Sequence, residues 1–598
     1  MSYASQMLSA RGVYYENPKQ SLRDLGTLAD LTLRLRFLAT SFSLSGERLS
    51  MAREIEPEGR SVNDSLRHMV DAAAAGPDLT SAVDYAEESM QLALKRGDSK
   101  ENTRTIAEIY LLLADVKSKS KDCNHALTDY DKALGLFGRL PEVTDRPYQI
   151  HKGKLFCFQQ LDRREEFSSE LQTVLDLSEE YRATIREDDS RQAFFANEQE
   201  VFDAATANAI KEGDGRRAFD LAEKSRARSL LEFVESDQPI AEVEKTFAAV
   251  AHPLLLTEIQ ARLPAQVQLV QYAVLPEKLA IWVVSKTRFS LIEKPITAVE
   301  LEQRIADYQA ALVGKAPATE LKLMARELYE LLIPPDLAAD KQICLVPDKS
   351  LHQLAFASLV SPNGKYLLQD FALFYSPSAS VLVIATENAR RKDQVTNESL
   401  LSIGNPDFDR EENPNLPDLS SAEAEAKSIA ADYQNPQELL GGGATKESFL
   451  HKFTKVDVIH FAGHFLANRH SPGNSKLLFA GGELRSSELS TYKLPQAKLV
   501  VLSACETGFE RYDKSEGAIG IARTFLALGA PIVVASQWKV DSEPTKDLMI
   551  AFHRNRKEKS LTSVESLRQA QLEVLRNGRT QAPYYWAAFS LFGGYANY

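Results

Sequence analysis

The chain has 598 residues, a net charge of −13, 44% apolar and 26% charged residues, and four cysteines. That length supports several domains with cores of their own, and the acidic balance excludes general binding to nucleic acid or to an anionic membrane surface. No apolar run approaches the ~20 residues of a membrane span, and the start MSYASQMLSARG lacks a signal peptide's apolar core, so a cytoplasmic protein is expected. Cys123, Cys157, Cys344 and Cys505 are widely scattered. No pair has metal-ligand spacing and so few make no disulfide framework, which fits a reducing compartment.

Residues 1–75 read as a helical N-terminal region, with leucines and phenylalanines at helical spacing across Leu25–Leu44. Residues 76–238 read as paired helices. Leu113 and Ala114 fall on one helix, and Ala126, Tyr130 and Ala133 on the next. Small residues at that spacing let two helices approach closely, and the tyrosine fills the gap between neighbouring pairs. Ala86, Met90 and Ala93 repeat the pattern earlier, and Phe167, Leu171 and Val174 later. The stretch resembles tetratricopeptide repeats, with units longer than the usual period. Such stacks leave a concave surface for a regulatory protein or peptide. Arg216, Arg217, Arg226 and Arg228 read as a solvated basic face. Ser236–Pro239 breaks the helix, and a short helix over 243–251 is expected to bridge to the next domain.

Residues 239–400 open with three short strands, VQLVQYAVL, KLAIWVVS and RFSLIEK, joined by tight turns as an antiparallel meander. One helix is expected across Leu301–Leu332, stopped by Pro334 and Pro335, then a strand with Cys344 in its core. Residues 401–598 begin with the strand LLSIGNP. The acidic, proline-rich DFDREENPNLPDL reads as a surface linker, or alternatively as a processing loop. SSAEAEAKSIAADY reads as a helix. Gly441–Gly443 lacks the Gly-Lys-Ser/Thr ending of a phosphate loop, so nucleotide binding is excluded there. ETGFERYDKSEG reads as a mobile charged loop, SVESLRQAQLEVLR as an amphipathic helix, and PYYWAAFSLF as a closing strand with Trp586 in the core.

Two apolar runs end in reactive side chains. Val458, Ile459 and Phe461 lead to His464, and Leu499–Leu502 leads to Cys505. Short β-branched runs of this kind read as buried parallel strands, and groups at the ends of such strands sit where ligands bind. A histidine beside a thiol raises its thiolate fraction and protonates a leaving amine. His460 lies inside its apolar run and reads as buried structure, and His470 as solvent-exposed.

From about Leu255 to Tyr598 the chain resembles a CHAT domain, the module related to caspases and separase. The resemblance rests on CLVPDKSLHQLAFASL, HFAGH, LLFAGGELRSSEL, SACETG, EGAIGIARTFLALGAPIVVASQWKV and PYYWAAF, in the family's order. It implies a C-terminal α/β caspase-like domain with a mainly parallel sheet behind an N-terminal all-α helical-repeat solenoid. Residues 239–400 would be its non-catalytic first half and 401–598 its catalytic half. It puts the catalytic histidine on His464 and the nucleophile on Cys505, with backbone N–H groups of Gly463, Phe465 and Cys505 as oxyanion donors. Phe465 stands where many relatives carry a small residue. Gln537, Trp538 and Asp541 are the expected substrate-binding residues. The implied activity is a cysteine endopeptidase acting on a protein substrate, without metal or organic cofactor, switched by a partner on the repeats. Relatives act in programmed death and bacterial defence. The alternative is a catalytically silent scaffold that works through its repeats.

Overall fold

A computed structural model describes residues 17–140, 145–184, 188–236, 238–246, 252–393, 397–504, 507–508, 511–513 and 517–598. The chain forms two units, Met1–Ile185 and Arg186–Tyr598.

The first unit is helical throughout its described residues. Helices Pro18–Arg34, Leu38–Ile55, Arg60–Ala75, Leu79–Leu94, Lys100–Lys119, Cys123–Phe137, Arg146–Gln160 and Arg164–Thr184 follow one another along the chain. The expected helical stretch Leu25–Leu44 is therefore two helices, broken where Arg36 takes a positive φ of 62°. Asn17, Asp78 and Ser99 cap their helices by accepting a backbone N–H, which satisfies donors that a helix start leaves free. The repeat pattern packs as its spacing predicts: Ala86, Ala93, Leu113 and Val116 share one core with Val70 and Ala82. Phe167, Leu171 and Val174 are buried as well.

Tyr130 shows why the small residues matter. Its ring is buried against Gly153 of the next helix, and its hydroxyl donates to Asp115 Oδ1 at 2.7 Å. A Cβ at position 153 would stand 2.2 Å from the ring's Cζ. Gly→Ala in a helix interior normally stabilises by about 1 kcal/mol. Here the overlap reverses the sign, and Gly153→Ala should cost about 1–3 kcal/mol, read as a lower thermal midpoint of the full chain.

Asp115 carries a second consequence. Burial raises its carboxyl from 3.8 to about 6, opposed by the Tyr130 hydrogen bond. A raised acid pKa contributes stability that is complete below pH 3.8 and lost as pH rises through 6. Asp115→Asn keeps the acceptor for Tyr130 and removes the charge. Its thermal midpoint should exceed the wild type's at pH 7.5, and the advantage should vanish by pH 4.

The second unit is built on an eleven-stranded sheet in the order β3-β2-β1-β4-β5-β16-β15-β12-β8-β6-β7. Its strands, numbered with those of two smaller sheets, come in two halves. The first half supplies β1 (Val267–Val274), β2 (Leu279–Val284), β3 (Phe289–Lys294), β4 (Gln342–Val346) and β5 (Ala372–Tyr375). The second half supplies β6 (Leu400–Gly404), β7 (Pro436–Leu440), β8 (Val458–Ala462), β12 (Leu499–Ser503), β15 (Ile532–Ser536) and β16 (Phe589–Gly593). The strands β9 (Phe465–Leu466), β10 (Lys476–Phe479) and β11 (Gly482–Arg485) form a three-stranded sheet, and β13 (Arg511–Asp513) pairs with β14 (Gly517–Ile519).

The large sheet is mainly parallel. β1–β2–β3 is the expected antiparallel meander, and β1, β4, β5 and β16 run parallel. β7, β6, β8, β12 and β15 also run parallel to one another. The two sets meet at the antiparallel β15–β16 pair, so they point in opposite directions.

Several expectations are corrected. The single helix over Leu301–Leu332 is two, Ala298–Val313 and Ala318–Leu332. The chain breaks between them at Lys315, φ 55°, and Pro317 supplies no N–H to continue a helix. Arg226 and Arg228 are not a solvated face: both are buried. Arg226 donates to the carbonyls of Ala222 at 3.1 Å and Pro347 at 3.3 Å and also to that of Tyr272, while Arg228 donates to Lys224 at 3.3 Å. Arg216 and Arg217 are exposed. Nearby, the buried Glu223 accepts the N–H groups of Ala379 at 3.2 Å and Ser380 at 2.7 Å, capping helix Ala379–Lys392. In the stretch read as a helix over 243–251, a helix runs Ile240–Thr246, and residues 247–251 lie outside those described.

Two lysines tie connecting segments to the second half. Lys392 Nζ donates to the carbonyls of Leu494, Ala497 and Gly529 at 2.7–2.9 Å. Lys493 Nζ donates to those of Phe233, Ser236 and Ala527 at 2.7–3.1 Å.

Candidate active site

Strands β6, β8, β12 and β15 end on the same edge because they are parallel. Their register is Gly404 beside Ala462 beside Ser503, with Ser402, His460, Val501 and Val534 in another row. Side chains alternate faces along a strand. Ile459, Phe461, Val500, Leu502, Val533 and Ala535 therefore pack into one apolar layer with Phe525 and Leu230. The opposite face, with His460 and Ser503, turns towards helices Ser420–Ala430 and Ser542–Lys559.

A cleft of about 400 Å³ opens at that edge. One wall is Pro417 and Leu419 from the loop after β6, and another is 463–467 after β8. Ser503 and Ala504 close the end of β12, Lys539 and Val540 follow β15, and Glu425 and Thr545 project from the two helices.

His464 stands on this cleft. Its Nε2 lies 2.9 Å from the carbonyl oxygen of Pro417. A carbonyl only accepts, so Nε2 carries the proton and Nδ1 is left as the basic nitrogen. The ring also meets Phe408 edge-on at 5.0 Å. Burial pushes the imidazole's pKa below 6.5, the Pro417 hydrogen bond opposes this, and the Lys539 and Arg410 charges add to it. The segment that reads as a surface linker thus holds the histidine through Pro417 and Phe408.

Cys505 lies outside the described residues. Its flanks are firmly tied. The Ala504 carbonyl accepts the Ser536 hydroxyl at 2.5 Å, Ser536 N–H donates to Thr507 Oγ1 at 3.1 Å, and Gly508 N–H donates to the Ser536 carbonyl at 2.8 Å. The loop beyond contains the β13–β14 hairpin where a mobile segment is expected. Glu510 and Lys514 lie outside the described residues.

Gly463 and Phe465 both line the cleft. A Cβ on Gly463 would stand 2.9 Å from the Phe461 ring and 3.1 Å from Pro406. The Phe465 side chain is only 5% exposed and joins the apolar core, so its bulk does not fill the opening. Trp538 is 4% exposed and donates its indole N–H to the Tyr584 carbonyl at 3.2 Å, packing the domain instead of facing the cleft. Gln537 borders a separate cavity of about 30 Å³ beside His352. Asp541 accepts from Lys315 Nζ and the Tyr584 hydroxyl, both at 3.3 Å. The cleft takes Lys539, Val540 and Ser542 from this loop instead. His470 is exposed and Trp586 is fully buried.

His460 is fully buried, within hydrogen-bond distance of Glu425 Oε1 at 2.9 Å and of His553 at 3.3 Å. Glu425 escapes a reading of the sequence. It is one of two glutamates on an ordinary amphipathic helix, and nothing local marks it. No group of His, Cys, Asp and Glu among the described residues has the arrangement of a metal site, and no helix among them is long and apolar enough to cross a membrane.

The family model of the CHAT domain matches residues 322–594. This stretch is a CHAT domain. The chain is also 28% identical over 331 residues to Tetratricopeptide repeat protein 28 of Homo sapiens, covering 45% of this chain and 13% of that protein. The Mus musculus protein of the same name is 26% identical over 336 residues, again covering 45% and 13%. The chain thus spans a small part of the curated relatives it matches. Among solved structures, the Saccharomyces cerevisiae separase–securin complex is similar at a TM-score of 0.45 and 11% identity, over 97% of this chain and 53% of that one. The CHAT domain here follows a tetratricopeptide-like helical arm.

The electrostatics of His464 are testable. Its titration midpoint, followed by NMR, should lie below 6.5 in the full chain. Lys539→Met removes a cation that disfavours the imidazolium and should move the midpoint up.

Proposed function

We propose that the chain is a cysteine endopeptidase in which Cys505 is the nucleophile and His464 the general base and acid. The observation that carries the reading is the register of β8 and β12. Ala462 pairs with Ser503, and His464 and Cys505 each follow two positions later in the sequence. With Nε2 held by Pro417, Nδ1 is the nitrogen available to a thiol.

In this mechanism Nδ1 takes the thiol proton and the thiolate sulfur attacks the scissile carbonyl carbon. The carbonyl electrons move to oxygen, where the N–H groups of Cys505 and of Gly463 or Phe465 stabilise them. Collapse of the intermediate expels the amine, which takes the proton from the imidazolium. Water, deprotonated by the same imidazole, then cleaves the thioester to release the acid and restore the thiol. A partner bound to the helical arm sets the state of the loop after Cys505, consistent with the protein-binding use of such repeats.

Cysteine reactivity separates this reading from a silent scaffold. Cys123, Cys157 and Cys344 are buried. Burial pushes the thiols of Cys157, to about 12, and Cys344 upward, so alkylation should report Cys505. Iodoacetamide should modify Cys505 selectively near pH 7, followed by peptide mass mapping, and His464→Ala should slow it by about tenfold or more. A slow thiol indifferent to His464, in the presence of host lysate as well as without it, would overturn the assignment.

A further inference from the structure

A cavity of about 30 Å³ lies at the seam between the two halves of the large sheet. From the first half, Tyr375 and Ser376 border it at the end of β5, with His352 beside them. From the second half come Gln537 after β15, Arg523 of helix Ile521–Ala527, and Gly508, three residues beyond Cys505. Tyr375 also meets Phe592 of β16 here, in register and with ring centres 5.6 Å apart. The cavity shares no lining residue with the cleft at His464.

The wall of this cavity holds polar groups that the fold leaves unused. Ser376 is 1% exposed. Its main-chain N–H donates to the Leu345 carbonyl at 2.9 Å, but its hydroxyl has no hydrogen-bond partner. The buried Tyr375 hydroxyl has Ser590 and the main chain of Phe356 near it, yet no hydrogen bond of ordinary geometry to either. The side-chain oxygen of Gln537 is a third buried atom without a partner, and turned over that amide presents N–H groups instead. Buried polar groups in folded proteins are nearly always paired. Three such groups around one cavity mark a place where a bound species supplies the partner, and the volume limits it to the size of about one or two water molecules.

Charge decides which species that is. Arg523 brings a permanent positive charge, and none of the described residues lining the cavity is acidic. Burial pushes the His352 imidazole down to about 4, so it adds no charge at neutral pH. The nearby Asp348 carboxylate is engaged elsewhere, accepting the Val274 N–H at 2.7 Å and facing Arg226 at 3.7 Å. We infer that the cavity is a binding site for a small inorganic anion of chloride's size, held by the Arg523 guanidinium and the Ser376 and Tyr375 hydroxyls. Hydroxyl hydrogens rotate, so both can turn inward to donate. Away from water, the guanidinium attracts an anion more strongly than it does at the surface. The bound ion joins the end of β5 in the first half to helix Ile521–Ala527 in the second, and so stabilises the seam. The site does not depend on the peptidase reading.

Thermal unfolding of the full chain in sodium chloride and in sodium gluconate, at equal ionic strength, tests the site. Gluconate is too large for the cavity. Chloride should raise the midpoint over gluconate by about 2 °C or more, in a saturable manner, and bromide should do the same. Ser376→Ala should reduce the difference and Arg523→Gln should remove it. Crystals grown in sodium bromide should show anomalous scattering between Arg523 and Ser376. Equal midpoints in chloride and gluconate, the result of a cavity that holds water alone, overturn the site. A chloride effect that survives undiminished in both variants, or bromide found only elsewhere, overturns it too. If Arg523→Gln does not fold, shown by loss of its melting transition, Ser376→Ala decides. None of these readouts uses the reactivity of Cys505, so the site and the peptidase reading fail separately.

Discussion

The pairing of β8 with β12 is the constraint on which the rest of the second unit depends. A slip of one residue in either strand would exchange its two faces. His460 would turn from Glu425 and His553 into the apolar layer that holds Phe461 and Phe479, where no acceptor waits. The register is therefore held from both sides, by packing on one face and by hydrogen bonds on the other. The same register sets the step between His464 and the strand that leads to Cys505.

The polar face is anchored far from the cleft. Glu398, just before β6, meets Arg556 at 3.0 Å, Lys557 at 3.5 Å and Lys498 at 3.8 Å. Burial alone would raise the Glu398 carboxyl, and the three cations outweigh it and hold it below its ordinary value. Removing one partner from a buried pair of this kind costs about 3–5 kcal/mol, because a charge is left uncompensated. Arg556 is thereby fixed at one end, and another of its donors reaches the Tyr433 hydroxyl at 3.2 Å. A surface ion pair could not supply that rigidity.

Much of this architecture is legible in the residues. The strands are runs such as LVVLS and IVVAS, β-branched and too short for helices, and their parallel packing follows from being buried on both faces. The paired helices announce themselves through Ala126, Tyr130 and Ala133, because close helix contact needs small residues at fixed spacing. What stays hidden depends on contacts distant in sequence. Arg226 and Arg228 look like any basic helix face until the carbonyls of Tyr272 and Pro347 are brought to one of them. Pro417 belongs to an acidic stretch with the composition of a linker, yet its carbonyl orients His464. Trp538 sits in the right loop for a substrate contact, but a large aromatic finds more buried area against the C-terminal segment. The break at Lys315 has a local sign, Gly314 with Pro317 close behind, that a long apolar periodicity masks.

Lys392 and Lys493 each gather three main-chain carbonyls around one nitrogen. An ammonium presents its three hydrogens as a tripod, whereas a guanidinium spreads its five in a plane. Arginine carries the same charge and has more donors, but its flat fork does not converge on three oxygens that surround a point. These two positions therefore select a shape of cation, and the usual equivalence of the two basic residues does not hold there.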